Sequence, residues 1–470
     1  MEATTLHRFD VADPIDLSQF QAGLDGSVLF PGHPDFDTTR EVHNAAIDRR
    51  PALIVQPANA ADVARTVVLA RESGLELAIR GGGHSFAGHS STEGGILLDM
   101  RSMKGLHIDP ETRMVWAQPG LTAGEVTNAL AAHGLAVPFG DTASVGIAGL
   151  TLGGGIGWLA RKHGLAIDAL QSVELVTADG RQVTASETEH PDLFWAVRGG
   201  GGNFGIVTRF QYKAVEVGMI LGGALFLPAT REVLQSLGPI ASSAPRELTT
   251  ITFFMASAPP APFVPEPIQG KPVVVVMFVY DGDAESGQAA LAPFRQVATP
   301  LVDMAMPMPY PGIYKLAEAG EQRSLGAHGS TFLAAFDDTA VDIVLEEMAA
   351  ASSPAAMTQI RILGGAMADV PADATAFAHR DAPVLVTVIT PFFDPTEAET
   401  HETWTAAFTA RLSEASIGVY SNFLGDEGEA RVHDAYPAAT FDRLARIKRK
   451  YDPTNLFRRN QNIRPASLVG

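Results

Sequence analysis

The chain has no cysteine. Disulfides, thiolate metal sites and cysteine nucleophiles are excluded together, and the composition fits a reducing compartment. Basic side chains are scarce: 34 Lys and Arg stand against 53 Asp and Glu, for a net charge of −19. Nucleic acid and anionic membrane surfaces are bound by cations that neutralise phosphates, so neither is expected as a partner. No apolar run approaches the roughly 20 residues of a membrane span, and the longest, residues 272–279, is strand length. Residues 1–21 carry acids early and lack the apolar centre of a secretory signal, so a cytoplasmic location is expected. The 13 histidines show no metal-ligand spacing, and no metal is expected. Aromatic residues are 7 % of the chain, which weighs mildly against a stacked sugar groove. These exclusions leave an enzyme acting on a small molecule, in a chain whose 46 % hydrophobic and 19 % charged residues are ordinary for a globular protein.

Glycine is what the chain has in quantity, 45 residues. Up to about Val215, short strands and helices interleave as one α+β unit. A strand from Leu53 leads into a helix over 59–73, capped by Asn59 and stopped by Gly74, and a second helix is read over 122–133 behind the cap Thr122. Beyond Val215 the strands become longer and β-branched, at 251–255, 272–280 and 382–391, with helices at 284–298 and 338–351 between them. That pattern predicts an antiparallel sheet with helices on one face. The proline-rich stretch 259–267 reads as a surface loop, and the basic helix 441–450, with Arg443, Arg446, Lys448, Arg449 and Lys450, reads as a solvated face.

Four glycine-rich loops fall within the first 205 residues, at 81–83, 140–149, 153–157 and 199–205. Backbone N–H groups that converge without a Cβ in the way form an anion-binding concavity. Several such loops in one α+β unit point to a large phosphate-bearing cofactor. A dinucleotide fingerprint at 155–160 (G-I-G-W-L-A) is the rival, but Trp158 would occupy the turn where backbone meets pyrophosphate, and no βαβ unit surrounds it. His84 follows three glycines; a neutral imidazole there is a competent nucleophile, against the plainer reading of a polar turn residue. His89 is either a second ligand-facing group or part of a surface turn.

The motifs R-G-G-G-H-S (80–85), V-G-I-A-G-L-T-L-G-G-G-I-G-W-L (145–159), K-H-G-L-A-I-D (162–168), D-L-F-W-A-V-R-G-G-G-G-N-F-G-I-V-T (192–208), T-A-F-A-H-R (375–380), Y-S-N-F (420–423) and Y-D-P-T-N-L-F (451–457) occur in order along the chain. Together they resemble the FAD-linked oxidases with a PCMH-type (vanillyl-alcohol-oxidase-like) FAD-binding domain, in the branch of berberine bridge enzyme and 6-hydroxy-D-nicotine oxidase. The resemblance implies a two-subdomain FAD-binding domain at 6–215 with its core at 47–217, and a substrate domain at 216–431 whose antiparallel sheet is covered by helices. A berberine-bridge-like segment at 432–470 would return to the FAD domain.

It also implies FAD bound covalently, through the 8α carbon, to His84 alone. The cysteine that makes a second flavin bond in many relatives is Thr142 here, and the chain has no other cysteine. Cofactor contacts are implied for Arg80, Gly81, Gly82, Gly83, Ser85, His89, Pro119, Gly120, Asp141 and Thr142. They are implied as well for Val145, Gly146, Gly149, Gly153, Gly154, Gly157, Ile206, Val207, Tyr420, Asn422 and Asn460. Val145 stands where relatives gate oxygen, and valine there is compatible with an oxidase. Where several relatives carry a tyrosine base, this chain has Phe423. Tyr280, Tyr310, Tyr314 and Tyr420 remain as candidate bases, Tyr420 in the best motif context, unless the substrate needs little base assistance. The reaction expected is hydride transfer from a CH–OH or CH–NH carbon to FAD, with O2 then reduced to H2O2. The alternatives are an oxygenase or multi-step oxidase of natural-product tailoring, or a flavin-binding protein without turnover. The expected assembly is a monomer or homodimer.

Overall fold

The computed structural model describes residues 17–317 and 323–467; the first part of the expected FAD-binding domain, residues 6–16, lies outside them. Three main sheets organise the described residues. In the first, strands Leu53–Gln56 and Leu77–Arg80 both pair in parallel with Ile96–Asp99, and Ser27–Leu29 adds antiparallel at the edge. The parallel pairing needs a crossover, which helix Ala60–Ser73 supplies. Its start is fixed by Asn59, whose side chain accepts from the Ala61 and Asp62 N–H groups, and its end by Gly74 at φ 69°. Val63, Val67 and Ala70, at helical spacing, seal it onto Leu53, Val55 and Leu98.

The second sheet is antiparallel, in the order 106–109, 114–117, 206–213, 170–176 and 182–186. Helix Ala123–Ala131 packs on it behind a capping box made by Thr122 and Glu125.

The third sheet has nine strands and spans 219–418, antiparallel throughout. Its eight-residue strand Val273–Tyr280 is buried along its whole length because both faces are covered. On one face Val274, Val276 and Phe278 meet helices Arg231–Ser243 and Ala284–Val297, while Val386 and Val388 join the core that includes helices Asp338–Ala349 and Ala398–Ser413. On the other face Val275, Met277 and Ile251 pack with Trp158 and Leu159 from the glycine-rich part of the chain. The expectation of helices on one face holds, and the opposite face meets the first half of the chain.

Two expectations are corrected. The basic helix, Ala438–Tyr451, is not simply a solvated face: Lys448 is 0 % exposed and donates to the Asp452 carboxylate at 2.7 Å and to the Asn203 and Phe457 carbonyls at 2.8 Å each. The proline-rich loop is more than a surface excursion, because Val264 is 2 % exposed and fills part of the core beneath the large sheet. Helix Ala438–Tyr451 brings the chain back to its first half. There Tyr451 donates to Asp192 at 3.0 Å and Arg443 lies over the Trp195 ring at 3.7 Å.

Candidate active site

The first strand to matter is Leu77–Arg80, which ends inside the motif at 80–85. Arg80 is 1 % exposed and anchors the loop from below: its Nη2 pairs with Asp99 at 2.7 Å and its Nη1 donates to the Glu41 carbonyl at 3.0 Å. Above it the loop meets the segment at 145–149. A Cβ on Gly82 would lie 2.8 Å from the Gly146 Cα, and one on Gly146 the same distance from the Gly82 Cα. Only backbone fits in this cradle. Gly81 sits beside the Pro119 carbonyl and Ala148, and the Gly120 N–H donates to the Met103 carbonyl at 2.9 Å. Gly146 is in turn held by its bridge to Thr122, the cap of helix Ala123–Ala131, and the Val145 carbonyl accepts from the Ala123 N–H at 2.8 Å. The His43 N–H donates to the Gly83 carbonyl at 3.1 Å.

His84 leaves this cradle with its ring stacked on His43, centroids 4.1 Å apart. Burial lowers its pKa to about 4; His43 adds to the shift and a backbone hydrogen bond at Ser144 opposes it. The imidazole is therefore neutral at pH 7 and keeps a nucleophilic lone pair. Phe86, two residues on, stacks on His328 at 4.1 Å and lies 5.7 Å from Phe423. The Ser85 hydroxyl accepts from the His89 N–H at 3.2 Å. The buried ring nitrogens of His89 have no partner of hydrogen-bonding geometry, although the Gln461 side chain acts on the ring, and the buried Ser90 and Ser91 hydroxyls are also unpartnered.

A flavin dinucleotide fits these residues. The cradle admits backbone alone, neutral His84 stands at its end, and the nearby Ser90 and Ser91 hydroxyls are buried without partners.

The large sheet roofs the site. Its strands alternate, so the residues opposite the helices face the glycine-rich segments. Ile360 and Ile362 belong to the helix-side core, which places Gln359 and Arg361 on the other face. Cross-strand partners extend that face: Gln359 pairs with Thr387, Thr387 with Ser330, and His328 with Ile389. A polar row of His328, Ser330, Thr387, Gln359 and Arg361 thus crosses three adjacent strands. The Ser330 hydroxyl donates to the Phe423 carbonyl at 3.2 Å. Burial, helped by His43, lowers the His328 pKa to about 4. Arg361 donates to the Asp141 carboxylate and its guanidinium carbon is 4.9 Å from the Phe423 ring centroid.

None of this row was among the expected site residues. The available signal was the alternation Q-I-R-I at 359–362, with apolar residues at 360 and 362 and polar ones between.

The other expected residues divide into groups. Asp141 accepts from the Thr142 hydroxyl at 3.2 Å as well as from Arg361, and so joins the cradle to the roof. Tyr420 is 3 % exposed, and its hydroxyl oxygen accepts from the Gly155 N–H at 2.9 Å and from Asn422 at 3.0 Å. Burial raises its pKa, against the pull of those donors. Asn422 also donates to the Leu150 carbonyl and packs against Gly153, while Gly154 lies against Phe377 and Tyr420. Gly157 packs on Phe139 and Gly140. Tyr310 and Tyr314 lie in the core under the large sheet; Tyr314 donates to the Gly140 carbonyl at 3.1 Å, and burial holds Tyr310 well above the usual phenol range. Ile206 and Val207 pair with Val176 and Leu175 in the second sheet, buried between two cores. Asn460 donates to the Gly202 and Phe457 carbonyls and ties the C-terminal segment to the last glycine block. Gly149 opens onto free space.

A cradle that admits only backbone thus faces a polar sheet. Comparison with known proteins agrees. An FAD binding domain is matched over residues 51–186, and a second family, berberine and berberine like, over 419–464. The uncharacterized FAD-linked oxidoreductase YgaK of Bacillus subtilis is 30% identical over 460 residues, covering 94% of this chain and 97% of that protein. The structure of 6-hydroxy-D-nicotine oxidase from Arthrobacter nicotinovorans matches with a TM-score of 0.85 at 28% identity, covering 94% of this chain and 98% of that one. Glucooligosaccharide oxidase from Acremonium strictum, studied for its 6-S-cysteinyl, 8α-N1-histidyl FAD, shares the fold with a TM-score of 0.86 at 24% identity, over 96% of this chain and 99% of that one. The chain belongs to the FAD-linked oxidoreductases of the berberine bridge and 6-hydroxynicotine oxidase branch, an α+β family of FAD-linked oxidases.

Proposed function

We propose that the protein oxidises a CH–OH or CH–NH carbon of a small organic molecule, with FAD joined covalently to His84 alone and O2 as the final acceptor, giving H2O2. The observation that carries this reading is the neutral His84 imidazole at the end of a cradle that admits only backbone. When bound, FAD supplies the hydride acceptor and the site at which O2 is reduced. The glycine loops at 81–83 and 145–149 would hold its phosphates, and His84 its ring through the 8α carbon. Thr142 cannot form the second, cysteinyl bond carried by glucooligosaccharide oxidase.

The chain's own residues do the positioning. Within the polar row, Arg361 lies over the Phe423 ring, and Ser330 fixes the Phe423 backbone. Two of the candidate tyrosines are already engaged, since the Tyr420 oxygen accepts from Gly155 and Asn422 and the Tyr314 proton is donated to Gly140, and Tyr310 is buried in the core under the large sheet. His328, neutral and on the substrate-facing side of the sheet, is the available proton acceptor.

The test is anaerobic mixing of the yellow protein with a panel of alcohols and amines, followed by admission of oxygen. Bleaching, then recovery of colour with one H2O2 per product, is expected. Peroxide well short of product would overturn the oxidase stoichiometry in favour of oxygen transfer.

A further inference from the structure

Beneath the roof, Ile156, Gly157, Arg161, Thr250, Ile251 and Arg361 line part of a narrow cleft between the large sheet and the glycine-rich segment. Two guanidinium groups are buried in its wall, Arg361 at 4 % exposure and Arg161 at 6 %. Arg361 spends one nitrogen on Asp141, while its Nε and Nη1 have no partner. Arg161 donates to the Leu363 and Ala244 carbonyls, has no carboxylate partner, and leaves its Nε unpaired. Two cations therefore face one carboxylate, in a chain whose net charge is −19.

A buried charge without a counterion and buried N–H groups without acceptors are both unfavourable, and a stable fold keeps them where a ligand completes the set. The unpaired donors of Arg361 lie beside Phe423, at the reaction centre of the proposed oxidase. The missing charge is a single negative one, and the walls around it are largely apolar. That combination matches a carboxylate on an apolar frame and exceeds what a neutral alcohol or a cationic amine would satisfy.

We infer that the substrate is a carboxylic acid, and that the unpaired Nε and Nη1 groups of Arg361 receive its carboxylate while a CH–OH or CH–NH carbon elsewhere in the molecule meets the flavin. This specificity role rests on the oxidase reading above. Arg161 supplies the second positive charge from the cleft wall.

The experiment is isothermal calorimetry on the purified holoenzyme with benzoate and its neutral isostere benzamide, at fixed ionic strength. Flavin content is read from the same samples. Charge-assisted hydrogen bonds predict that benzoate binds about tenfold or more tighter than benzamide. In Arg361→Gln that ratio should fall to near one with benzamide unchanged. The double variant Arg361→Gln/Asp141→Asn, which leaves no bare carboxylate behind, should behave the same way and keeps the test valid where the single variant folds poorly. Equal binding of the two probes by the wild type overturns the inference. So does a preference that survives in both variants, and so does a change in flavin reduction potential with the benzoate-to-benzamide ratio intact, which would assign Arg361 to the flavin. Protein that carries no flavin yet prefers benzoate would refute the oxidase reading and keep the carboxylate site.

Discussion

Gly82→Ala is the substitution that acts most directly on the cradle. The added methyl would stand 2.8 Å from the Gly146 Cα and nearer still to its nitrogen, and both atoms are backbone, so no rotamer change relieves the contact. The two loops would have to part by several tenths of an ångström. That would strain the Ala123 N–H to Val145 carbonyl bond at 2.8 Å, which fixes the second loop to its helix. Overpacking of this kind costs about 1–3 kcal/mol, and two backbone partners put Gly82→Ala at the upper end. In a domain-sized unit each kcal/mol lowers the melting temperature by roughly 2–4 °C, so a drop on the order of 5–10 °C is expected. Gly218→Ala, at an exposed position outside the cradle with nothing within reach of a Cβ, is the matched control. Alanine there should leave stability unchanged or raise it by up to about 1 kcal/mol. Thermal melts followed by circular dichroism decide the matter, with flavin content read alongside. Equal melting temperatures for the two variants would refute the cradle.

Lys448→Met strands the buried Asp452 carboxylate and should cost about 3–5 kcal/mol, whereas the exposed Arg446→Met on the same helix should stay within about 0.5 kcal/mol; similar melts for the two would restore the solvated-face reading. Tyr420→Phe removes the acceptor for the Gly155 N–H and should cost about 1–3 kcal/mol in stability, while anaerobic flavin bleaching stays within about tenfold of wild type. A loss of about 10²–10⁴ in bleaching rate would make Tyr420 the base after all. His328, which the proposed flavin bond leaves free, has its pKa lowered by burial to about 4 against 6.5 in the unfolded chain. Between these values the unfolded chain binds more protons, so stability is full above about pH 6.5 and is lost as pH falls toward 4. Melts from pH 7 to 4 should show that slope, and His328→Gln should flatten it; an unaltered slope contradicts the assignment.

The cradle was legible from residues because its requirement is local. Three glycines before His84, and Gly146 beside Val145, announce backbone approach whatever surrounds them. The polar row was not legible as a site, since His328, Ser330, Thr387, Gln359 and Arg361 come from three strands whose register only the fold decides. Each strand read singly shows just a polar residue at alternate positions. Lys448 was misread for a related reason. Its three acceptors all lie beyond the helix itself, Asp452 at its C-cap and the Asn203 and Phe457 carbonyls elsewhere, and Asn203 is 245 residues away in the chain. Tyrosine as base is a different case: the motif at 420–423 placed Tyr420 near the glycine turn, but the Gly155 N–H that occupies its oxygen could be seen only in three dimensions.

If His84 alone bonds the flavin covalently, the flavin must stay with the denatured chain and leave with the imidazole. The direct measurement is to denature the purified protein in acid, run it on a denaturing gel beside His84→Ala, and look for flavin fluorescence in each band. A fluorescent wild-type band and a dark variant band are expected. A dark wild-type band, with the yellow colour released to the supernatant, would contradict the covalent bond; fluorescence persisting in His84→Ala would contradict the residue assigned to it.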